Sequence, residues 1–339
     1  MTFLKDKRVL MFAPKFFGYE NEISKKIKEK CADCVFFDER AEPSVFEKIC
    51  IRLNYRKIIM RKIISYYQEV ISTYEEDYFD YVIFFNPETV TVELLKKLKE
   101  KQKSAIFVLY MWDSFENKPH TKEILPYFEK KYSFNKKDCD GCEIKFRPLF
   151  FIDTYDSDKN NLLNQKNDID IDIDIGFIGT IHSDRYKILK KLRTLAEECG
   201  LKTNYYMFFP NKLLYYKYKF ENWTKEKICI NDFKFVSLNS SEVLAYLNKC
   251  KTVIDIQHPK QIGLTMRTIE MLGLKKKLIT TNTDIVNYDF YNENNICVID
   301  RENIKIDKSF FASDYNYDTD NYREKYSLDF FINELLLAK

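Results

Sequence analysis

The sequence predicts an α/β protein built from two doubly wound domains, each a parallel β-sheet with helices on both faces. Short apolar segments alternate along the chain with longer amphipathic segments, which is the pattern of a βαβ series. The polar segment 153–167 has no hydrophobic period and divides this pattern into two series. Of the 339 residues 45% are hydrophobic, which is enough for two hydrophobic cores.

The first series supplies the strands of the N-terminal domain. Apolar segments predict strands at 8–14, 34–38, 80–86, 105–111 and 130–134. Helical periodicity predicts helices near 20–30, 44–72 and 90–101. Because strand and helix alternate, the connections are crossovers and the sheet is parallel.

The second series has the same organisation. Apolar segments predict strands at 173–180, 203–209, 252–257, 277–282 and 295–300. Helices are predicted near 185–198, 240–249 and 264–272. Ligands of doubly wound folds bind beyond the carboxyl ends of the strands, so we expect the active site in the cleft between the two domains.

These patterns divide the chain into four parts. We predict an N-terminal domain over 1–152, a linker over 153–169 and a C-terminal domain over 170–322. The remainder, 323–339, is expected to form a helix that packs back on the N-terminal domain.

Charge and hydropathy limit the partners of the chain. The 55 basic and 52 acidic residues nearly cancel, which argues against a nucleic-acid partner. Lys5, Lys7 and Arg8 precede only a short strand that ends at Pro14, so we expect no signal peptide. The apolar run 105–112 is too short to span a bilayer, and a cytoplasmic location is expected.

Metal binding is the less favoured interpretation of two cysteine pairs and one acidic repeat. Cys31 with Cys34 and Cys139 with Cys142 have the spacing of a four-thiolate zinc site, but small reduced thiols are the favoured alternative. The alternating acids between Asp168 and Asp174 are typical of a half-exposed strand, although an Asp-x-Asp pattern can also hold a metal. We therefore expect no metal and no bound cofactor.

The segment GLTMRTIEMLG at 263–273 is the strongest functional signal. It predicts a loop, a helix that Thr265 caps, and a stop at Gly273 before a strand. A helix start attracts phosphate, and Arg267 and Glu270 project from one side of it, so one turn can hold a diphosphate and a ribose. The alternative is an ordinary buried stripe with a surface Arg–Glu pair of small energy.

Several motifs in this order resemble a known family. The motifs are GFIGTIHSDRY (176–186), HPKQIGLTMRTIEMLG (258–273), LITTN (278–282), YMWDSFEN (110–117) and KKYSFNKKD (130–138). Together they resemble the CgeB-like, group-1-like glycosyltransferases of bacterial surface-polysaccharide synthesis, which have the GT-B fold. The resemblance implies two Rossmann-like domains facing across a cleft, with the nucleotide-sugar on the C-terminal domain and the acceptor on the N-terminal one.

The resemblance also implies roles for individual residues. Glu270 resembles the acid that binds the donor ribose, and Arg267 belongs to the helix start that binds the diphosphate. The residues of that helix start and of the first loop of the donor domain are Gly263, Leu264 and Thr265, and Gly179, Thr180 and Arg185 respectively. Many GT-B transferases carry a second carboxylate near the position of Ile262, and this chain has none there.

Glycosyl transfer requires stabilisation of the departing nucleoside diphosphate, which Arg185, Arg267 and a helix start can supply without metal. Inversion of the anomeric centre also requires a base, and Asp113 is our candidate because it follows a strand end. Its alternative role is to cap the next turn with Ser114. His258 is expected at the edge of the cleft, whereas His182 is as readily a structural turn residue.

One basic segment stands out from the neutral whole. Between Lys48 and Lys62 the chain carries six cations and no acid, interleaved with isoleucines. On a helix within 48–64 this pattern fits peripheral contact with an anionic membrane that holds a lipid-linked acceptor. The favoured alternative is a solvated helix whose apolar side lies in the core.

The sequence thus predicts a metal-independent glycosyltransferase, of hexosyltransferase type, that extends a capsule or lipopolysaccharide glycan. Its partners would be a nucleotide-sugar donor and a glycan or lipid-linked acceptor. A nucleotide-sugar 2-epimerase of the same fold and a non-catalytic nucleotide- or glycan-binding protein are the alternatives.

Overall fold

The fold is seen in a computed structural model that describes residues 4–41, 44, 47, 55–141, 143–163, 171–222 and 227–337. The chain divides into two compact units. Unit 1 consists of Met1–Leu149 with Leu328–Lys339, and unit 2 is Phe150–Ser327. The predicted boundaries of the linker and of the two domains stay predictions.

Unit 1 is built on a six-stranded parallel sheet with the strand order β2-β1-β3-β4-β5-β6. Its strands are β1 (Arg8–Ala13), β2 (Asp33–Asp38), β3 (Tyr81–Phe85), β4 (Ile106–Met111), β5 (Lys130–Ser133) and β6 (Lys145–Phe146). Helices α1 (Tyr19–Lys30), α2 (Met60–Thr73), α3 (Val92–Lys101) and α4 (Thr121–Ile124) surround it. Central strands β3 and β4 are apolar throughout because helices cover both faces of a parallel sheet.

Unit 2 carries a second six-stranded parallel sheet, with the order β12-β11-β10-β7-β8-β9. Its strands are β7 (Ile173–Thr180), β8 (Thr203–Phe208), β9 (Phe233–Lys234), β10 (Cys250–Asp255), β11 (Lys277–Thr280) and β12 (Ile296–Val298). Its helices are α5 (Ser157–Leu163), α6 (Arg185–Glu198), α7 (Lys212–Glu221), α8 (Ser240–Asn248), α9 (Met266–Leu274), α10 (Lys308–Ala312) and α11 (Asp320–Arg323). The predicted α/β class with two Rossmann-like domains is confirmed.

Short 3-10 helices join several of these elements. They are Arg56–Ile58, Leu125–Tyr127, Lys136–Asp138, Asp153–Tyr155, Ile230–Asp232, Thr283–Asn287, Tyr317–Thr319 and Glu324–Tyr326.

The last helix, α12 (Leu328–Leu337), belongs to unit 1. The ring of Phe331 lies 4.7 Å from that of Tyr110 on β4. Arg147 Nε lies 2.7 Å from a carboxylate oxygen of Glu334. Lys130 donates to the carbonyl of Leu336 at 2.8 Å, which places a cation at the negative end of the helix dipole.

Some predicted bounds differ from the structure. Of the helix expected over 44–72, residues 45, 46 and 48–54 lie outside the described residues, and the rest includes a 3-10 turn at Arg56–Ile58 and the larger part of α2. Helix α5 forms within the segment in which the sequence shows no hydrophobic period. Strands β6 and β9 have two residues each, too few to show a period in the sequence. None of the helices in the described residues combines the length and apolar character that a bilayer span requires.

Gly273 is not the helix stop that the sequence predicted. Helix α9 continues to Leu274, and Lys275 takes the left-handed conformation with φ 54°. Gly273 meets a packing constraint instead, because a Cβ there would lie 2.4 Å from the carbonyl oxygen of Tyr155 and 2.7 Å from Phe151 Cγ. A glycine in the last turn therefore lets the 151–155 segment lie directly against the helix.

This packing predicts that Gly273→Ala destabilises the protein. Alanine in a helix usually stabilises by about 1 kcal/mol relative to glycine, but here overpacking should cost about 1 to 3 kcal/mol. Urea unfolding measures the difference, with the exposed helical change Thr194→Ala as the control. A more stable Gly273→Ala protein would contradict the close approach.

Candidate functional site

The strand order of unit 2 reverses between β7 and β10, and the predicted donor residues follow these two strands. In doubly wound sheets, ligands bind at such a switch point, beyond the carboxyl ends of the strands. Gly179 and Thr180 end β7, Arg185 begins α6, and His258 and the start of α9 follow β10. The structure therefore gathers the predicted donor residues at one edge of this sheet.

Arg185 joins the two loops at the switch point. Its Nε donates to the carbonyl of Ile256 at 2.7 Å, and one Nη donates to the carbonyl of Thr180 at 2.8 Å. Burial lowers the pKa of the Arg185 guanidinium, and nearby Asp255 opposes that change. A Cβ on Gly179 would lie 3.2 Å from the ring of Phe177 and 3.6 Å from Arg185, so the glycine leaves room for both.

Asp255, which sequence reasoning missed, fixes the start of α9. Its buried carboxylate accepts from the Thr265 hydroxyl at 2.5 Å and from the Thr268 hydroxyl at 2.6 Å. Thr265 in turn accepts from the backbone N–H of Thr268 at 3.2 Å, which confirms the predicted cap. The sequence did contain a signal for Asp255, because a carboxylate at the end of a central strand of a parallel sheet is unusual.

Arg267 and Glu270 lie on one side of α9, as their spacing predicts. Arg267 Nη1 is 2.7 Å from Glu270 Oε2, and the side chains are 21% and 6% exposed. The pair is thus mostly buried rather than a surface pair. Tyr155 lies beside it, and burial, followed by the charge of Glu270, raises the pKa of that phenol. The ligand roles of Arg267 and Glu270 stay predictions.

Two histidines meet beside Arg185. The rings of His182 and His258 are 5.7 Å apart, and His182 Nδ1 is 2.6 Å from the Ser183 hydroxyl. Burial, with help from the charge of Arg185, lowers the pKa of His182 to about 4. His182 is therefore neutral at neutral pH, whereas His258 is exposed.

Arg301 is a second residue that sequence reasoning missed. One Nη lies 2.8 Å from both carboxylate oxygens of Asp184, and the other donates to the carbonyl of Gln257 at 2.8 Å. It thereby ties the residues before α6 to those after β10. Because Arg301 is far in sequence from both segments, no local sequence pattern indicates these contacts.

The loop that carries Gly263 and Leu264 is held from inside the unit. Asn282 donates to the carbonyl of Ile262 at 2.9 Å, and Gln261 donates to that of Gly263 at 2.9 Å. The Leu264 side chain is buried, so it supports the loop from the core.

Asp113 lies in unit 1, just beyond the carboxyl end of β4. Its Oδ1 accepts from the N–H of Ser114 at 2.9 Å and from the side chain of Asn117 at 2.8 Å, so the turn-capping alternative is confirmed. Burial raises the pKa of Asp138, and the charge of Asp113 adds to that effect. The base role of Asp113 stays a prediction.

The structure describes only part of the two candidate metal sites. Across the described residues, no three His, Cys, Asp or Glu side chains are grouped so that they could hold an ion. Cys31 and Cys34 are buried, and burial raises the pKa of Cys34 to about 12. Cys142, Asp168 and Asp170 lie outside the described residues, whereas Asp174 accepts from the N–H of Lys202 at 2.7 Å.

Comparison with known proteins identifies the fold of the chain. No protein-family model matches the chain, and no curated protein matches its sequence. Solved structures with two Rossmann-like domains do match over nearly the whole chain, and they include GT-B glycosyltransferases. The fold of this chain is therefore GT-B.

Three of the matching structures are individually informative. HepE from Anabaena, in complex with UDP and glucose, has a TM-score of 0.59 at 10% identity and covers 98% of this chain and 100% of its own. A glycosyltransferase from Rickettsia africae has a TM-score of 0.53 at 13% identity, and the match covers 98% of this chain and 100% of that protein. Sucrose-phosphate synthase from Thermosynechococcus elongatus has a TM-score of 0.61 at 8% identity, and the match covers 97% of this chain and 98% of that protein.

The depressed pKa of His182 predicts an acid-dependent loss of stability. Its folded pKa, about 4, lies below the reference value of 6.5, so its contribution is complete above pH 6.5 and is lost as the pH falls towards 4. Between pH 7.5 and 5 this loss is at most about 2 kcal/mol. Urea unfolding at both pH values should show His182→Gln losing less stability than the natural protein. An imidazole NMR titration of His182 near pH 6.5 would contradict this.

Proposed function

We propose that this protein is a glycosyltransferase that takes a sugar from a nucleotide-sugar donor, with UDP as the carrier. The observation that supports it is the start of α9 at the switch point of the unit 2 sheet, beside Arg185 and Arg267. A helix start offers backbone N–H groups and a partial positive charge to phosphate. UDP is chosen because solved structures of HepE hold UDP with glucose, or UDP-glucose.

In this proposal unit 2 binds the donor. The diphosphate lies against the start of α9, with Arg185 and Arg267 as the cations and Glu270 as the ribose ligand. Backbone and side-chain contacts come from Gly179, Thr180, His258, Gly263, Leu264 and Thr265. The guanidinium groups and N–H donors stabilise the charge that develops on the departing UDP, so the reaction needs no metal.

Unit 1 binds and activates the acceptor. Asp113 takes a proton from the acceptor hydroxyl while the sugar is transferred with inversion. The contacts from Ser114 and Asn117 would fix the orientation of its carboxylate. The acceptor is a glycan or a lipid-linked glycan of bacterial capsule or lipopolysaccharide synthesis, and transfer takes place on the cytoplasmic side of the cell membrane.

Calorimetric titration tests the donor assignment. UDP, ADP, GDP and TDP are titrated in EDTA. Binding should survive the chelator because the proposed site holds the diphosphate without an ion, and UDP should bind most tightly because it is the proposed carrier. UDP-sugars that bind are then incubated with the protein, and products are separated. Free UDP with a transferred or hydrolysed sugar supports the transferase. An epimerised UDP-sugar supports the 2-epimerase, and binding without turnover supports a non-catalytic protein.

Glu270→Gln should weaken UDP-sugar binding by about tenfold to a hundredfold. A hydrogen bond to a charged group contributes about 1.5 to 3 kcal/mol, and glutamine keeps the shape of the side chain while it removes the charge. Calorimetry measures the affinity, with the exposed Glu198→Gln in α6 as the matched control. Unchanged affinity in a folded Glu270→Gln protein would remove this residue from the site.

Asp113→Asn should lower the transfer rate by about a hundredfold to ten-thousandfold, because the amide cannot accept the acceptor proton. Its oxygen can still accept from Ser114 and Asn117, so folding and UDP affinity should be unchanged. Steady-state rates are compared with those of Asp140→Asn, an exposed carboxylate nearby in the sequence. Near-normal turnover would exclude the base role and favour retention or another acid.

A further inference from the structure

Helix α7 presents a stripe of large apolar side chains to solvent. Leu213 is 80% exposed, Tyr216 is 56% exposed and Phe220 is 84% exposed. At about 100° per residue, these three positions fall within about 60° of one another around the helix. Sequence reasoning missed this helix altogether, because its inner and outer faces are both aromatic and no single stripe appears.

The inner face of α7 accounts for the order of the helix without the outer stripe. Tyr215 is buried, and its ring lies 5.5 Å from that of Phe233 in the unit 2 core. The buried Tyr218 packs against Phe209, and its hydroxyl donates to the carbonyl of Ser183 at 2.9 Å. Asn211 caps the first turn. Since these contacts anchor the helix, the exposed stripe is available for binding another surface.

Lysines flank the stripe on both sides. Around the helix axis, Lys217 lies about 40° from Leu213 on one side of the stripe. Lys212 and Lys219 lie about 100° to 120° from Leu213 on the other side. All three are exposed. The acid of this helix, Glu221, is exposed and 3.8 Å from Lys217, a weak pairing. An apolar stripe flanked by lysines is typical of helices that lie in the interface of an anionic bilayer.

We propose that α7 docks unit 2 on an anionic lipid surface. Leu213, Tyr216 and Phe220 would enter the boundary between headgroups and acyl chains, and the lysines would contact the lipid phosphates. The three apolar side chains expose roughly 400 Å². A two-fold contact between copies would bring the same lysines together, so charge favours an anionic bilayer over a second copy of the chain.

This surface is distinct from the one that the sequence predicted at 48–64. In that segment Ile63 is buried in the unit 1 core, and Lys62 lies 2.9 Å from a carboxylate oxygen of Glu47. Ile58 and Ile64 are exposed there, so the predicted contact stays open to test.

Vesicle sedimentation tests the proposal on the full chain. Vesicles of phosphatidylcholine alone are compared with vesicles that contain phosphatidylglycerol, and the protein should sediment with the anionic ones. Leu213→Ser with Phe220→Ser should weaken this binding by at least about tenfold. Lys212→Gln with Lys219→Gln should weaken it by roughly fivefold for each lysine removed, and 0.5 M salt should weaken it in the natural protein.

The control is Val286→Ser, which removes another exposed apolar side chain of unit 2 and should bind vesicles normally. Normal UDP affinity in all variants shows that unit 2 is folded, and it separates failure of docking from failure of the donor assignment. The proposal is overturned if the natural protein ignores anionic vesicles or if the α7 variants bind them normally. It is also overturned if Ile58→Ser with Ile64→Ser alone abolishes binding. A natural dimer that the Leu213→Ser, Phe220→Ser change dissociates, without vesicle binding, would assign the stripe to a second copy.

Discussion

The switch point of the unit 2 sheet depends on one buried carboxylate. Asp255 ends β10 inside the sheet, where an uncompensated charge would be costly. The hydroxyls of Thr265 and Thr268, the nearby positive end of α9 and the charge of Arg185 all compensate it. Since those groups come from the helix start and from the neighbouring loop, satisfying this charge fixes where α9 begins.

The charges at the switch point are balanced before any ligand binds. Arg301 pairs with Asp184, Arg267 with Glu270, and Arg185 lies close to Asp255. A diphosphate in this region would therefore be recognised by directed N–H groups more than by an excess of positive charge. Two of these guanidinium groups are also held by the fold, because Arg185 and Arg301 donate to backbone carbonyls. Such fixed donors need little rearrangement when charge develops on a leaving group.

Helix α7 connects the proposed lipid surface to the loop after β7 through a hydrogen bond of Tyr218. Tyr218 on its inner face donates to the carbonyl of Ser183, whose left-handed backbone follows His182. The exposed stripe and the loop after β7 are therefore held by the same short helix. If the proposed acceptor is lipid-linked, docking at a membrane surface would concentrate the protein beside it.

The sequence by itself determined the α/β class, most of the strands and the Thr265 cap, because periodicity and capping are local properties. It also determined that Arg267 and Glu270 share one side of a helix. The roles of Asp255 and Arg301 were decided only in the tertiary structure, since their partners lie on other elements. Gly273 was misread for the same reason, because the Tyr155 carbonyl beside it is distant in sequence. Local patterns specify elements, whereas burial and long-range contacts decide which side chains meet at the site and which, like the α7 stripe, face solvent.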